Sequence, residues 1–207
     1  MHGVTVIAHP LVQHNLTLLR DRRTQPQEFR RLLSETAALM VYEATRNFGI
    51  TPVAIQTPLA KASGCKLQRE VVLVPVLRAG LGMLDGILRL IPHARVGFIG
   101  LKRDESTLEA QFYHQSFPAN LSQCEVLLID PMLATGGSSV AAVDRLASQR
   151  ARRIRVISLV AAPEGIRLFQ KHHPHIPVFT AAIDKKLNSK GFIVPGLGDA
   201  GDRLFGT

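Results

Sequence analysis

The chain has 207 residues, 46% of them apolar: enough for one domain over residues 1–207 with a substantial core, and too few for two of full size. Lys and Arg total 25 against 16 Asp and Glu, a net charge of +9 that suits nucleic acid, an anionic membrane surface or a polyanionic small substrate. A membrane span is excluded for the longest central apolar run, Val71 to Leu77, by its length, and the lack of Trp and of a basic run with interleaved aromatics argues against nucleic acid.

Residues 1–10, Met-His-Gly-Val-Thr-Val-Ile-Ala-His-Pro, hold no basic segment leading into a long apolar run, so no secretory signal is expected. Within them, residues 4–7 read as a short strand closed by His9-Pro10. Residues 11–19 have helical apolar spacing and run into the charged turn Arg20–Arg23. Thr24 with Gln27 has the form of a capping box opening a long helix. Phe29, Leu32, Leu33, Thr36, Met40, Val41, Ala44 and Phe48 then recur with a period near 3.6, and Gly49 supplies the stop. That face reads as core rather than as a cofactor site.

Residues 52–58 alternate as a half-exposed strand. Residues 71–76 are apolar throughout, as buried parallel strands are, and break at the loop 77–82, after which a helix runs to about Leu90. Residues 95–101 form the next strand, and the polar, aromatic stretch 107–118 an extended flap or hairpin. A third buried strand, 125–129, leads through a loop into a helix over about 138–148. A strand at 153–161, a short helix at 164–171 and a strand at 178–183 follow, and 184–207 is glycine-rich and irregular. Arg150, Arg152, Arg153 and Arg155 are expected at a helix end, where cations suit the dipole. Cys65 and Cys124 form no CxxC pair, which points to a reduced, cytoplasmic compartment. His172, His173 and His175 have spacing that could catch a metal, and read more simply as a solvated turn.

Strands alternating with helices predict an α/β parallel sheet, whose ligands bind at the carboxyl ends of the strands. That rule brings the loops 77–82, 102–105 and 130–139 to one rim. The last of these is the most informative: Val126-Leu-Leu-Ile-Asp130-Pro-Met-Leu-Ala-Thr135-Gly-Gly-Ser-Ser139. It reads as a strand, an acid, a small-residue loop and a helix start, a combination that holds a phosphorylated, hydroxyl-bearing ligand. A Walker loop is excluded because the required lysine is missing. The string Gly196-Leu-Gly198-Asp-Ala-Gly201 fits a dinucleotide fingerprint in letters only, since six residues after Gly201 leave no room for the βαβ unit.

The pattern strand–Asp–x₄–Thr-Gly-Gly-Ser–helix resembles the 5-phosphoribosyl-1-pyrophosphate (PRPP) motif of type I phosphoribosyltransferases. Asp130 is followed by Pro131 rather than a second acid, and Asp-Pro-Met-Leu-Ala-Thr-Gly-Gly-Ser is similar to the uracil phosphoribosyltransferases. So are Tyr42-Glu-Ala-Thr45, Arg78-Ala-Gly-Leu-Gly-Met83, Val96-Gly-Phe-Ile-Gly-Leu101 with Arg103-Asp-Glu105, and Gly191-Phe-Ile-Val-Pro-Gly-Leu-Gly-Asp-Ala-Gly-Asp202. Lys102 and Phe192 depart from the pattern, each standing where Tyr is common.

The resemblance implies a parallel-sheet type I phosphoribosyltransferase fold with a flap or hairpin and a C-terminal base-binding loop. It implies a Mg²⁺-dependent reaction, uracil + PRPP → UMP + diphosphate, in pyrimidine salvage. Thr135, Gly136, Gly137 and Ser138 would cradle the 5′-phosphate, with Pro131, Met132, Leu133 and Ala134 completing the PRPP loop. Asp130 would meet the ribose hydroxyls and stabilise the cationic ribosyl centre. Arg78 and Arg103 are assigned to PRPP, where a guanidinium fork fits two phosphate oxygens. Mg²⁺ would bind mainly through phosphates and water, with Asp199 as a water-mediated contact to metal or PRPP. Uracil would be read by backbone at Ile193, Gly198, Asp199 and Ala200, and cytosine would be refused because it sets donor against donor. The family also implies a dimer or tetramer and GTP as an effector of some members. Two rivals remain open: an RNA-binding regulator on the same fold, and a transferase for another base.

Overall fold

A strand that is apolar at every residue has to be covered on both faces. The computed structural model describes residues 3–103 and 110–207, without the side chains of 103 and 110. In chain order its elements are β1 (Val4–Val6), α1 (Pro10–Arg20), α2 (Pro26–Ala44), β2 (Ile50–Gln56), β3 (Lys61–Leu67), β4 (Val71–Leu77), α3 (Leu81–Leu90), β5 (Arg95–Val96) and β6 (Phe98–Arg103). There follow β7 (Ala110–Ser116), β8 (Glu125–Ile129), β9 (Met132–Leu133), α4 (Gly137–Ser148), β10 (Ile154–Ala161), α5 (Pro163–His172), β11 (Val178–Ile183), β12 (Lys186–Leu187), β13 (Ile193–Val194) and α6 (Ala200–Phe205).

The main sheet runs β1-β11-β10-β8-β4-β6-β7, with β5 beside β4 and β9 beside β10. Its pairings are parallel except β6 with β7. The α/β parallel sheet expected from the sequence is therefore present. The central strands divide most of their side chains between the two faces by alternation. Val71, Leu73, Leu127, Ile129, Ile157 and Leu159 join a core with α1, α2, α3 and α6. Val72, Val74, Val126, Leu128 and Val156 join the opposite core, with Ala142, Val143 and Leu146 of α4 and Ile166 and Phe169 of α5.

Several expectations are corrected. Thr24 does not cap α2. Its hydroxyl donates to the Leu18 carbonyl at 2.6 Å, Gln25 takes the cap position, and Pro26 opens the helix, where its missing N–H costs nothing. Nor is Gly49 the stop: α2 ends at Ala44, and the Thr45 N–H and hydroxyl both turn back to the Val41 carbonyl. The strand expected at 52–58 is one half of an antiparallel hairpin, β2 with β3, which the sequence reading did not foresee. The segment 184–207 is not irregular throughout, since it contains the β12–β13 ladder and α6, whose Leu204 is buried. Arg155 is not at a helix end. It lies in β10, where its guanidinium stacks over Phe48 at 4.5 Å and donates to the Ala44 carbonyl. The expected flap is the β6–β7 hairpin, and Asp104, Glu105 and residues 107–109 lie outside the described residues.

Candidate functional site

The parallel strands β4, β6, β8 and β10 end at Leu77, Arg103, Ile129 and Ala161, so the loops after them share one rim. The segment after β8 is held to β10 by its backbone. The Asp130 N–H donates to the Ile157 carbonyl at 3.1 Å, and the Asp130 carbonyl accepts from the Ser158 hydroxyl at 2.6 Å. The Pro131 carbonyl accepts from both Leu159 and Val160, and β9 then pairs with Val160 and Ala161. With its backbone pinned, the Asp130 carboxyl faces the rim.

Burial pushes the Asp130 carboxyl up to about 7, opposed by one hydrogen bond from the Met132 N–H at 3.3 Å to Oδ1. The acid thus stands well above the ordinary carboxylate range before any ligand arrives.

The two glycines of the loop have different jobs. Gly136 has φ +89°, and a Cβ there would come within 2.7 Å of the Gly165 carbonyl oxygen at the start of α5. Its bareness is demanded by the protein. A Cβ on Gly137 would meet nothing within 4 Å. The space beside it is open to a ligand. Gly136 caps α4 with no side-chain bond, so the N–H groups of the first turn face outward as an anion cradle.

Two adjoining cavities complete the rim. The first, about 250 Å³, is lined by Arg78, Ala79, Leu101, Asp130, Ser138, Asp199 and Gly201, together with Val76 and Leu77 of β4. The second, about 300 Å³, is lined by Met132, Ala134, Lys190, Gly191, Phe192, Ile193, Gly198, Asp199 and Ala200. Asp199 belongs to both. It also caps α6, its Oδ1 accepting from the Asp202 N–H at 2.9 Å.

Of the residues singled out from sequence, Arg78, Asp130, Ser138 and Asp199 meet in the first cavity, and Met132, Ala134, Ile193, Gly198, Asp199 and Ala200 in the second. Pro131, Leu133, Thr135, Gly136 and Gly137 form the loop between β8 and α4 without lining either. Arg103 ends β6, and its side chain lies outside the described residues. Arg78 is accompanied by Asp202, 3.5 Å away, and by the ring of Phe205 at 5.7 Å. Phe192 stands 43% exposed at the mouth of the second cavity.

The histidine cluster holds no metal geometry. His173 lies 3.3 Å from Asp144 and against the Phe169 ring, and among the described residues no group of three His, Cys, Asp or Glu could ligate a metal. Three residues that sequence reading missed stand behind the second cavity: Arg20, Asp184 and Arg203. Nothing in the spacing of Arg20 and Asp184 could have joined them. Among the described residues no helix is long and apolar enough to cross a membrane.

Comparison with known proteins follows this geometry closely. The family model for uracil phosphoribosyltransferase matches residues 6–207. The uracil phosphoribosyltransferase of Rhizobium meliloti is 52% identical over 208 residues, covering 100% of both chains. Among solved structures, protein AQ2163 of Aquifex aeolicus superposes with a TM-score of 0.94 at 36% identity, covering 98% of this chain and 97% of that one. A purine phosphoribosyltransferase from Pyrococcus horikoshii Ot3, at 14% identity, shares the fold alone, with a TM-score of 0.53 over 74% of this chain and 84% of its own. A match that takes in the pinned Asp130 loop, the Arg78 turn and the C-terminal loop in one alignment settles the membership: the chain belongs to the uracil phosphoribosyltransferase family.

Proposed function

We propose that this chain transfers the phosphoribosyl group of PRPP to uracil, giving UMP and diphosphate, within a single domain over residues 1–207. The observation that carries the reading is the pair of cavities that meet at Asp199, one polar and faced by Arg78 and Asp130, the other walled by the 193–200 loop. They offer room for the charged sugar phosphate and for a flat base on either side of one reacting carbon.

In this reading the first turn of α4, with Thr135, Gly136, Gly137 and Ser138, takes the 5′-phosphate on backbone N–H groups and hydroxyls. Asp130 accepts from the ribose hydroxyls. As the bond from C1 to diphosphate breaks, its carboxylate opposes the positive charge that grows on the ribosyl centre. Arg78 meets the departing diphosphate with a planar fork, and the family resemblance assigns Arg103 to PRPP as well. The β6–β7 hairpin closes over the site and keeps water from the ribosyl centre. The N1 of uracil, held by the backbone of Ile193, Gly198, Asp199 and Ala200, then forms the new bond to C1 as its N–H bond breaks and the proton passes to the departing diphosphate. A backbone that offers donor, acceptor, donor selects uracil over cytosine by leaving cytosine's groups unpaired, at a cost of ~1–3 kcal/mol per buried group.

The residues present fit Mg²⁺. Among the described residues no cationic side chain hydrogen-bonds the Asp130 carboxyl, which faces the cavity, and oxygen donors of its kind and that of Asp199 suit a hard cation that keeps several waters. When bound with PRPP, the ion supplies positive charge to the diphosphate; Asp130 and Asp199, the latter through water, would hold it. The two free cysteines, Cys65 and Cys124, support a cytoplasmic location, and the family resemblance adds GTP as an effector and assembly into a dimer or tetramer. The β2–β3 hairpin, which pairs with no strand of the main sheet and exposes Ile50, Ile55, Leu59 and Leu67, supports assembly.

The test is UMP formation from PRPP, uracil and Mg²⁺, with and without GTP, alongside light scattering for the assembly. No UMP in any arm defeats the reading. One observation favours a second reading, an RNA-binding regulator: Arg152, Arg153, Arg155 and His175 line a cavity of about 310 Å³ at the end of the sheet away from the rim, with Glu125 as the one acid beside them, 4.0 Å from both Arg153 and Arg155. Tight, salt-sensitive RNA binding without UMP formation would select it.

A further inference from the structure

The loop that walls the second cavity is anchored at its apolar positions, where Ile193, Leu197 and Ala200 are buried in the core. Between them Gly196, at φ +60°, and Gly198, at φ +82°, have no side chain to anchor the backbone. A polar grip holds Gly196. Arg20, in the last turn of α1, forms a bidentate pair with Asp184, Nη2 to Oδ1 at 2.6 Å and Nη1 to Oδ2 at 2.7 Å. The same two side chains grip one residue of the loop from both sides. Arg20 Nη1 donates to the Gly196 carbonyl at 2.7 Å, and Asp184 Oδ2 accepts from the Gly196 N–H at 2.8 Å. The Asp184 side chain is 6% exposed and that of Arg20 23%, so water does not compete for these bonds.

A second guanidinium braces the next residue. Arg203 of α6 donates through Nη1 to the Leu197 carbonyl at 3.0 Å and through Nη2 to the Asp21 carbonyl at 2.7 Å, with its face over Phe29 at 4.5 Å. Arg203 and Arg20 thus tie the loop to the C-terminal end of α1. Gly196 admits no side chain, since a Cβ there would run into the Ile193 carbonyl oxygen.

We propose that the Arg20–Asp184 pair is a positioning element for base recognition, fixing the backbone of residues 193–200 in the orientation that discriminates among nucleobases. The inference rests on the reading that the base occupies the second cavity. The reason for such a device is physical. A site that reads a base with N–H and C=O groups has no side-chain rotamer to adjust, so its selectivity is only as sharp as its backbone is fixed. A buried ion pair that grips an amide at both its polar groups fixes position and direction together. Neither side chain lines either cavity, and both act through Gly196.

The experiment compares the parent chain with Asp184→Asn, Arg20→Lys and the charge-balanced double variant Arg20→Gln/Asp184→Asn. The double variant leaves no buried charge unpaired and so guards against simple misfolding. KM for uracil, KM for PRPP, kcat and the ratio of kcat/KM for uracil over cytosine are measured on each. The expected result for Asp184→Asn and the double variant is a 10- to 100-fold rise in KM for uracil and a tenfold or greater loss of the uracil-over-cytosine ratio, with KM for PRPP within about twofold. Arg20→Lys, which keeps the charge and loses the fork, should fall between parent and double variant. Hydrogen exchange across 193–200 should quicken in the same order. If the double variant folds and keeps the parent's uracil KM and base ratio, or if both KM values rise together, the proposal is overturned. A parent chain that forms no UMP removes the proposed function as well, which separates the two failures.

Discussion

Replacing Asp130 by Asn should make the ligand-free protein more stable and nearly inactive, and the stability gain should depend on pH in one direction. Burial moves the carboxyl from its ordinary 3.8 to about 7. In the window between those values the unfolded chain has released the proton and the folded chain still binds it. Folding therefore weakens as pH rises through the window, and the full penalty is present above pH 7. At 1.36 kcal/mol per unit, a shift of about three units sets a ceiling of ~4 kcal/mol. The carboxyl edge stays open to the cavity, and solvent there reduces the effect to about 1–3 kcal/mol. Asn is isosteric and still accepts the Met132 N–H. Any fixed cost of the amide is the same at every pH and cancels from the comparison.

Urea unfolding of both proteins at pH 5 and pH 8, without ligands, measures the difference. The Asn variant should gain about 1–2 kcal/mol relative to the parent between the two pH values, or roughly 2–8 °C in Tm for a chain of this size. In the same variant kcat should fall ~10²- to 10³-fold, as when one preorganised transition-state group is removed, with PRPP affinity changed far less. For the parent, kcat/KM for PRPP should decline below about pH 7 as Asp130 takes up its proton, and the variant should lose that acid limb. A stability difference that is flat from pH 5 to pH 8 would refute the placement of an uncompensated carboxyl at this position. An unchanged kcat would remove Asp130 from the transition state.

Arg78→Ala should weaken PRPP and diphosphate at least tenfold in direct binding and leave uracil nearly untouched; a fall in uracil binding instead would move the residue to the other cavity. The two loop glycines should separate cleanly in calorimetry and PRPP titration. Gly136→Ala should lower the Tm because a Cβ meets the Gly165 carbonyl, while Gly137→Ala should fold normally and bind PRPP more weakly. A normal Tm for the first or normal PRPP binding for the second counts against the cradle. In competition for PRPP, uracil should exclude both cytosine and hypoxanthine, and equal rates would sink the assignment of residues 193–200 to the base.

The main sheet was legible because burial on two faces leaves a signature that needs no context. Residues 71–76 and 125–129 could be nothing but central strands, and the loops after them had to share a rim. The Asp130 loop was legible because a tight turn, an acid and a helix start are close in the chain. The errors came where a local signal met a stronger local rival. Thr24 and Gln27 spell a capping box, but Pro26 between them already supplies a helix start, and the Thr24 hydroxyl finds the Leu18 carbonyl instead. Gly49 spells a stop, but the Thr45 hydroxyl reaches the Val41 carbonyl first. The strand β3 went unread because Lys61–Leu67 has no alternation: its residues are exposed on both faces, and its partner β2 is what makes it a strand.

The sequence by itself determined which strands are central and which loops lie at their ends, because those depend on spacing along the chain. Only the tertiary structure decided what the residues of those loops experience. Asp130 became an acid near neutrality because β10 and the neighbouring loops displaced its water, and no residue adjacent in sequence announces that. Arg78 acquired Asp202, 124 positions away, and Gly196 acquired Arg20 and Asp184 as its holders. Those pairings arise because α1 and α6 both pack on α2, on one face of the sheet, which brings distant segments of the chain together. Charge and hydrogen bonding act through distance in space, so the state of each group waits on the fold that sets the distance.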